Sequence, residues 1–595
     1  MLTIALYFAG SIITYFTKKA SAIIAFIFAV LANIAFVFTK PLNFHLANFN
    51  LNFSLTPLSY IFGIIILTLA SFVMFCYPNT KERQYYPLFL LSLTGISIIL
   101  LSNNFLSFFF GWELMSVSSF FLIYNNKDRK AGLLYLVASA VGAYGILMGI
   151  SVVYAKTGSI LFSSFSQNLN LFSRREIVYL IFLFGAGFGV KAALMPLHIW
   201  APDGYREARD PFTAFFSGGL SKLGIYGFLL LLFVFIGTDR FATFHITKWT
   251  LAWLGGLTAF LGGFYAIFQT DIKRLLAFSS ISQMGYAITA LSLSTSLGVT
   301  ASLYTVLSHA LFKGILFITA ASVILRTGKH SFDELGGLVK NMPLTFIVSV
   351  FAVIGLNGVP PMGGFPAKWL VYEGLIKAHY PGLIALMFAA STTAFLYSYR
   401  FIHGVFFGKR MPSLKNIKEA PFVNILSSTI LMLALLFIGM FPGWVVDFFS
   451  PAIKFLGFKV MVHTFGTLST PLGNFNGFLV GIVFIIAGLF ATIVSLFFSR
   501  KMRVSSIDTY SSGEALTEET PYHYSSNFYL FIQRDFSGFL KLSARKFYFS
   551  IARFIENSAQ GLRRIYTGNG QVYIWYVIIV WIGLIIGFLY KGGFK

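Results

Sequence analysis

Long apolar runs are the feature that most constrains what this chain can fold into. Runs of about 17–25 mostly apolar residues recur along it, and a helix of that length crosses the hydrocarbon core of a bilayer. Only 11% of the 595 residues are charged and 57% are hydrophobic, whereas soluble domains carry about 25% charged residues. A soluble fold cannot bury this much apolar surface, so the sequence predicts an all-α, polytopic membrane protein.

About 16 transmembrane helices are predicted from the apolar runs. Their approximate limits are 2–17, 20–39, 57–77, 86–102, 104–124, 131–154, 177–198, 212–237, 249–268, 275–293, 300–325, 344–376, 382–407, 422–441, 475–498 and 572–590. The first run also resembles a signal peptide. Because a second apolar run follows after a short basic break, we interpret both as retained spans.

Lys and Arg are distributed unevenly between the two sides of the predicted membrane. Placing the N-terminus outside puts most of them, including those of the stretch 500–571, on the inside. Inside loops are enriched in Lys and Arg, so we predict a cell-membrane location with both termini outside. The same rule accounts for the net charge of +24, and we expect no nucleic-acid partner.

Six charged residues fall deep inside predicted spans, and a seventh, Glu373, lies nearer the end of its span. The six are Glu113, Lys191, Lys222, Lys313, Lys368 and Arg400. A charged side chain at the bilayer centre costs at least about 2.5–3.5 kcal/mol, so we expect these residues to serve function. For Arg400, which lies near aromatic residues and a loop, a structural role is an equal alternative.

Two spans are interrupted by proline next to a lysine. Lys191 precedes Pro196 in KAALMPLHIW, and Lys368 follows Pro360 and Pro361 in GVPPMGGFPAKW. Proline removes a backbone hydrogen bond, which membrane helices tolerate where the freed groups face a cavity or other protein. Transporters place ion sites at such breaks, so both lysines are candidate ion-site residues.

His309 and Lys313 lie four residues apart and share one helix face. Both side chains can titrate when buried, which suits a proton relay. The alternative is a histidine that only makes a structural hydrogen bond. Other chemistry is missing from the sequence: there is one cysteine, and no metal-binding or nucleotide-binding motif. We therefore expect no cofactor, metal or redox centre in this chain.

Five strings in a fixed order resemble one family. They are FFGWELMSVSSFFLI (109–123), KAALMPLHIWAPDGYREARDP (191–211), QTDIKRLLAFSSISQMGY (269–286), SHALFKGILFITAAS (308–322) and GVPPMGGFPAKW (358–369). They resemble the antiporter-like subunits of respiratory complex I, multisubunit sodium/proton antiporters and membrane-bound nickel–iron hydrogenases. The resemblance, which covers roughly 55–445, implies two inverted five-helix repeats with discontinuous helices.

The resemblance also implies which residues carry ions. It assigns ion translocation to Glu113, Lys191, Lys222, His309, Lys313 and Lys368, and leaves Arg400, His198 and Gln283 as further candidates. Relatives often carry His at the position of Gln283, so a titratable role there is in doubt. The expected regions are 1–85 (first helices), 86–237 and 249–407 (the repeats), 408–500 (further helices), 501–570 (an amphipathic lateral segment) and 571–595 (an anchoring span).

The C-terminal part favours one kind of complex. SSGEALTEETPYHYSSNFY (511–529) and YTGNGQVYIWY (566–576) resemble the tail of large subunits in hydrogenase and formate hydrogenlyase complexes. Residues 528–564 also alternate apolar and basic residues at helical spacing, which predicts a helix along the membrane surface or along other subunits; a linker is the alternative.

We therefore expect a subunit that translocates H⁺, or Na⁺ and H⁺, in a hydrogenase-type or related ferredoxin-driven complex. Its expected partners are further antiporter-like and small membrane subunits, a peripheral redox arm and the lipid bilayer. The alternatives are a subunit of complex I, a multisubunit sodium/proton antiporter, a stand-alone solute transporter and a structural scaffold.

Overall fold

The computed structural model of this chain describes most of its residues. They are 1–17, 20–46, 49–76, 83–124, 129–408, 412–498, 528–540, 544–565, 571 and 574–582. The chain divides into two compact units, Met1–Leu530 and Phe531–Lys595. The strings at 511–529 and 566–576, on which the preference for a hydrogenase-type tail depends, lie largely outside the described residues.

Helices account for most of the first unit and for the described part of the second. In chain order they are α1 (Leu2–Phe16), α2 (Ser21–Val37), α3 (Pro57–Phe75), α4 (Tyr85–Leu101), α5 (Phe105–Ile123), α6 (Arg129–Thr157), α7 (Phe162–Gln167), α8 (Arg174–Lys191), α9 (Ala201–Glu207), α10 (Phe212–Phe215), α11 (Lys222–Leu229), α12 (Thr238–Ala242), α13 (His245–Ile267), α14 (Ile272–Ser292), α15 (Ser296–Thr327), α16 (Pro343–Asn357), α17 (Gly364–Lys377), α18 (Pro381–Phe406), α19 (Phe422–Met440), α20 (Pro442–Phe455), α21 (Gly477–Phe498), α22 (Leu530–Asp535), α23 (Ser537–Leu540) and α24 (Ala544–Ile565).

The helices have the length and composition of membrane spans. Among the described residues, nine are long and apolar enough to cross a bilayer, and α1, α2, α4 and α16 are shorter apolar helices. One of the nine is the run Phe212–Phe235, which continues from α10 through π-helical turns at Phe216–Leu220 and Leu230–Phe235. The predicted all-α, polytopic architecture is therefore confirmed.

Two predicted spans are broken in the structure. The span predicted at 177–198 is helical only to Lys191, where α8 ends, and the chain continues as the short helix α9. The span predicted at 344–376 consists of α16 and α17, separated by a turn in which Gly358 has a φ of +72°. At this turn a Cβ on Gly364 would lie 1.7 Å from the carbonyl oxygen of Gly355, so only glycine fits.

The core lies where α14, α15 and the run Phe212–Phe235 meet. These helices are buried around nearly their whole circumference, as expected for apolar helices at the centre of a bundle. Small residues let neighbouring helices approach closely. Gly187 is an example: a Cβ on this residue of α8 would lie 2.6 Å from the carbonyl oxygen of Gly142 on α6.

Two small antiparallel sheets were not predicted from the sequence. Strands β1 (Leu42–Leu46) and β2 (Phe49–Phe53) form a hairpin between α2 and α3. Strands β3 (His463–Thr464), β4 (Thr467–Thr470) and β5 (Gly473–Asn476) form a second sheet between α20 and α21. Strands β3–β5 are too short to give a clear alternating pattern. Strands β1 and β2, with the sequences LNFHL and FNLNF, do alternate apolar and polar residues, a signal that was missed in the sequence analysis.

The predicted lateral helix over 528–564 is interrupted. The structure has α22, α23 and α24 there, with 541–543 outside the described residues. In the second unit α24 is amphipathic, and its large apolar side chains Phe549, Phe554 and Ile555 are exposed. Of the predicted final span 572–590, residues 574–582 are described and helical.

Candidate ion-translocation site

Four lysines and one histidine from the predicted site lie inside the first unit. Lys191, Lys222, His309 and Lys313 are at most 1% exposed, and Lys368 is 8% exposed. None of them faces the surface of the bundle. Because a buried charge is costly unless it is hydrogen-bonded, the partners of each residue indicate what it can do.

Lys191 lies at the end of α8, where the first broken span opens. Its Nζ donates to the Ser116 hydroxyl of α5 at 3.1 Å and to the Tyr135 hydroxyl of α6 at 3.0 Å. The rings of Trp112 and Tyr135 lie 5.8 and 4.9 Å from Nζ, within cation–π range. The ammonium group is therefore held by hydroxyls and aromatic rings.

Glu113 does not form a direct ion pair with Lys191. Both residues are described, and their charged groups are too far apart for a salt bridge. Each nevertheless lies close enough to feel the electrostatic field of the other. Glu113 is only partly buried, and the surrounding face of α5 exposes Phe110 and Val117. Ser116, one helical turn further on, turns toward Lys191 in its place.

Serines lie between Lys222 and Lys313. Lys222 Nζ donates to the carbonyl oxygen of Ser217 at 2.9 Å, within the π-helical turn that precedes α11. The Ser217 hydroxyl lies 2.8 Å from the Ser280 hydroxyl on α14. On the same helix, Ser279 and the Leu276 carbonyl accept hydrogen bonds from Lys313 Nζ. The polar groups between Lys222 and Lys313 thus leave two gaps, one between the carbonyl oxygen and the hydroxyl of Ser217 and one between Ser280 and Ser279.

His309, on the same helix as Lys313, makes no hydrogen bond to the described residues. Both ring nitrogens are buried without a partner, and the imidazole feels the charges of both Lys222 and Lys313. A buried imidazole without a protein partner has free positions for water or a passing proton. Its burial without a protein hydrogen bond weighs against the purely structural alternative.

Lys368 spans the second break. Its Nζ donates to the carbonyl oxygen of Asn357, the last residue of α16, at 2.9 Å, and lies 5.3 Å from the Tyr286 ring. A cavity of about 10 Å³ adjoins it, room for about one water molecule. The cavity is lined by Gln283, Tyr286, Thr305, Ser308, Phe312, Gly355, Leu356, Gly364, Ala367 and Lys368. Gln283 thus faces the same small space as Lys368.

The remaining candidates, Arg400 and His198, make their hydrogen bonds to backbone carbonyl oxygens elsewhere in the first unit. Arg400 donates to the carbonyl oxygen of Ile267 at the end of α13 and lies over the Phe332 ring at 5.6 Å. A cation that satisfies a helix C-terminus has a structural explanation. His198, at the first break, contacts the Pro196 carbonyl oxygen at 3.2 Å through Nδ1, which ties it to the turn.

One buried ion pair escaped the sequence analysis, which placed Lys273 in a loop. Lys273 lies in the first turn of α14, where it is 2% exposed. Its Nζ lies 3.2 Å from Asp210 Oδ1 and donates to the Ala208 carbonyl oxygen at 2.7 Å. The pair ties the segment after the first break to the start of α14.

These groups are of the kinds that bind and pass protons. Lysine changes its charge state readily when buried, and hydroxyls, an imidazole and single waters can pass protons over hydrogen-bond distances. The candidate proton carriers are Lys191, Lys222, Lys313 and Lys368. The serines between them could not be singled out from the sequence, because serine is too common in helices to be a signal.

Comparison with known proteins agrees with the family resemblance found in the sequence. The family model described as NADH:quinone oxidoreductase/Mrp antiporter, transmembrane, matches residues 102–396. The chain is 30% identical to NADH-quinone oxidoreductase subunit N of Desulforudis audaxviator over 364 residues, which are 60% of this chain and 72% of that protein. It is 29% identical to hydrogenase-4 component B of Escherichia coli, over 55% of this chain and 52% of that protein.

Among solved structures, a chain of the Mrp complex of Dietzia sp. DQ12-45-1b matches over 99% of this chain and 62% of that chain, with a TM-score of 0.73 and 20% identity. A second match extends over 98% of this chain. It is a chain of the membrane-bound sulfane sulfur reductase, an archaeal respiratory membrane complex. The TM-score is 0.86 and the identity is 33%, over 98% of this chain and 99% of that chain. Hydrogenase-4 component B, by contrast, is matched over only about half of its length.

Proposed function

The chain belongs to the NADH:quinone oxidoreductase/Mrp antiporter family, and from this premise we propose that it is the proton-translocating subunit of a respiratory membrane complex of the sulfane sulfur reductase or hydrogenase type. The observation that carries the proposal is the buried series of lysines, held by hydroxyls at two helix breaks. Family membership supports an antiporter-like subunit of a membrane complex, and the buried groups support proton transfer as its role.

In the proposed mechanism protons pass along the interior of the first unit. Lys191 holds a proton between Ser116 and Tyr135. When a charge change in a neighbouring subunit destabilises that ammonium group, the proton moves toward Lys222. No covalent chemistry is needed. In each step one proton passes from a nitrogen, a hydroxyl group or a water molecule to the next such group along the path.

The second half of the route uses the serines and the small cavity. From Lys222 the path runs past Ser217 to Ser280 and Ser279 on α14 and then to Lys313. Water links Lys222 to the Ser217 hydroxyl in this path, because the hydrogen bond from Lys222 goes to the Ser217 carbonyl oxygen. His309, with both ring nitrogens free of protein hydrogen bonds, is placed by this mechanism between Lys313 and the cavity beside Lys368. A water in that cavity would then complete the connection.

The finer architecture is part of the proposal. We assign sixteen spans, an inverted repeat over 86–237 and a second over 249–407, with the breaks after Lys191 and before Gly364 in corresponding positions. The close pairing of α4 with α5 and of α13 with α14 supports this division. Both termini are proposed to lie outside, by the distribution of Lys and Arg.

The partly buried Glu113 supports the presence of a neighbouring subunit. A carboxylate in the middle of a span costs several kcal/mol in contact with lipid, yet Glu113 lies in the partly exposed, apolar face of α5. A membrane subunit that covers this face would remove the carboxylate from lipid. The relatives named above are parts of multisubunit complexes, which agrees with this expectation.

The extent of the structural similarity favours the sulfane sulfur reductase type over complex I. The match to a chain of respiratory complex I from Thermus thermophilus covers 77% of this chain, whereas the match to the sulfane sulfur reductase chain covers 98% of it at 33% identity. A multisubunit sodium/proton antiporter remains the second candidate, because the family includes Mrp antiporters. A stand-alone solute transporter is disfavoured, because it would not need a neighbouring subunit.

The test is purification of the native complex through a tag on this chain. Redox subunits should copurify, and the complex in liposomes should move protons when its electron donor is added. Copurification of antiporter subunits alone, with sodium-driven proton exchange and no electron transfer, would favour the second candidate.

A further inference from the structure

Trp200 is a buried side chain beside the first break, and the route described above does not use it. It is the last residue of the string KAALMPLHIW, lies immediately before α9 and is 0% exposed. An indole N–H can donate a hydrogen bond but cannot accept one, and nearly all buried donors have an acceptor. The acceptor of this N–H therefore shows what the side chain holds in place.

The indole N–H holds the carbonyl group that directly precedes Lys191. In an uninterrupted helix the carbonyl oxygen of Val190 would accept from the N–H of Leu194, but at the break that N–H bonds to another carbonyl oxygen. Val190 accepts instead from Ala193 N–H at 3.1 Å and from Trp200 Nε1 at 2.8 Å. Trp200 thus fixes the last turn of α8, from which the Lys191 side chain extends.

The indole ring also packs against one of the hydroxyl-bearing side chains that accept from Lys191. The ring centroids of Trp200 and Tyr135 lie 5.1 Å apart with an interplanar angle of 68°, which is the edge-to-face arrangement that aromatic pairs prefer. Tyr135 is itself 0% exposed, and its hydroxyl accepts from Lys191 Nζ at 3.0 Å. Trp200 therefore contacts both the backbone that carries Lys191 and an acceptor of its ammonium group.

Trp200 contacts the segment that binds Lys222 as well. Its ring centroid lies 5.4 Å from that of Phe216, the first residue of the π-helical turn Phe216–Leu220. The next residue, Ser217, supplies the carbonyl oxygen that accepts from Lys222 Nζ at 2.9 Å. A single side chain thus touches the supports of both lysines of the first proposed transfer.

We infer that Trp200 is the positioning residue of the first proton transfer, with its indole N–H holding the last turn of α8 so that Lys191 Nζ stays at its hydroxyl acceptors. The inference rests on the proposed function. Because the indole N–H only donates, Trp200 takes up no proton and acts through Lys191. Without this hydrogen bond the end of α8 can shift, and a displacement of about 1 Å can cost about 10²-fold in rate.

The simpler alternative is that Trp200 only fills the core. Replacement of Trp200 by β-(3-benzothienyl)alanine separates the two roles, because sulfur takes the place of the indole N–H while the size and shape of the ring are kept. The experiment uses the intact complex, purified through this chain and reconstituted in liposomes, and measures protons translocated per electron transferred. The same replacement at Trp249, which is 52% exposed, is the matched control.

The expected result is that the replacement at Trp200 lowers the number of protons per electron by about 10- to 100-fold, while assembly and electron transfer are retained and the control is normal. The wild-type ratio in the assembled complex would overturn the inference. Loss of assembly would also overturn it, because the N–H would then hold the fold rather than Lys191.

Tyr135→Phe provides a second measurement that a purely structural role would not affect. It removes the hydroxyl that accepts from Lys191 and keeps the ring against Trp200. Combined with the replacement at Trp200, it should add less than its separate loss, because both changes act on Lys191. Losses that multiply would show that Trp200 does not act through Lys191, and would overturn the inference.

Lys191→Ala, measured in parallel, separates this inference from the proposed function. Loss of translocation in Lys191→Ala together with a normal ratio after the replacement at Trp200 would overturn the inference and leave the route through the lysines intact. Normal translocation in both would overturn the proposed function as well.

Discussion

The buried pair Lys273–Asp210 gives a prediction whose magnitude follows from the structure. Its side chains are 3% and 8% exposed, and Lys273 Nζ also donates to Ala208. Lys273→Met would leave the Asp210 carboxylate buried without its cation, which costs about 3–5 kcal/mol. The nearby pair Arg206–Asp271 has a similar length, 3.3 Å, but Arg206 is 45% exposed. Arg206→Met should therefore cost about 0–1 kcal/mol.

The assay is unfolding of the purified complex in mixed micelles of increasing SDS content, followed by loss of helical signal. Lys273→Met should unfold at a clearly lower SDS fraction than the wild type, and Arg206→Met should not. Lys273→Met combined with Asp210→Asn should recover part of the loss, because the second change removes the uncompensated charge. Equal stability of Lys273→Met and Arg206→Met would refute the reasoning.

Three further predictions concern transport and assembly. Lys191→Ala should leave assembly intact and lower proton translocation about 10²-fold, because the first carrier is lost; normal pumping by the assembled variant would contradict this role. Ser217→Ala combined with Ser280→Ala should slow translocation more than either change alone, measured with a pH-sensitive dye in liposomes, and an unchanged rate would exclude the serine bridge. Deletion of 505–595 should reduce the amount of copurifying subunits while 86–407 remains folded; undiminished copurification and pumping would show that the segment is dispensable.

Much of the fold could be predicted because membrane spans have a strong one-dimensional signal. A run such as Pro57–Phe75 is long and apolar, and nothing but a helix satisfies its backbone in lipid. The broken spans were also predictable, because proline cannot continue the hydrogen-bond ladder. The sheet β3–β5 was not, since its strands are two to four residues long and depend on packing against α17 and α20.

The charged residues of the candidate site could be predicted, because charged residues are rare in membrane spans. Its serines could not, because hydroxyl groups are common there. Lys222 and Lys313 stand out because a lysine within a span is costly, and the structure buries both. Ser217 and Ser280 do not stand out, because a hydroxyl can always bond the carbonyl one turn back. Lys273 was missed for a different reason: it lies at a helix boundary, and only the fold brings Asp210 over it.

Lys222 offers the most direct test of the central claim that protons cross this chain along its buried lysines. Its Nζ contacts groups of the described interior, Ser217, Ser221 and Met284, so proton transfer and support of the π-helical turn are the two roles to separate. Proton translocation per electron transferred is measured in the reconstituted complex for Lys222→Met and for the surface control Lys156→Met. The account predicts an assembled Lys222→Met complex that translocates few or no protons, beside a normal control. An assembled Lys222→Met complex with the wild-type ratio of protons to electrons would contradict it.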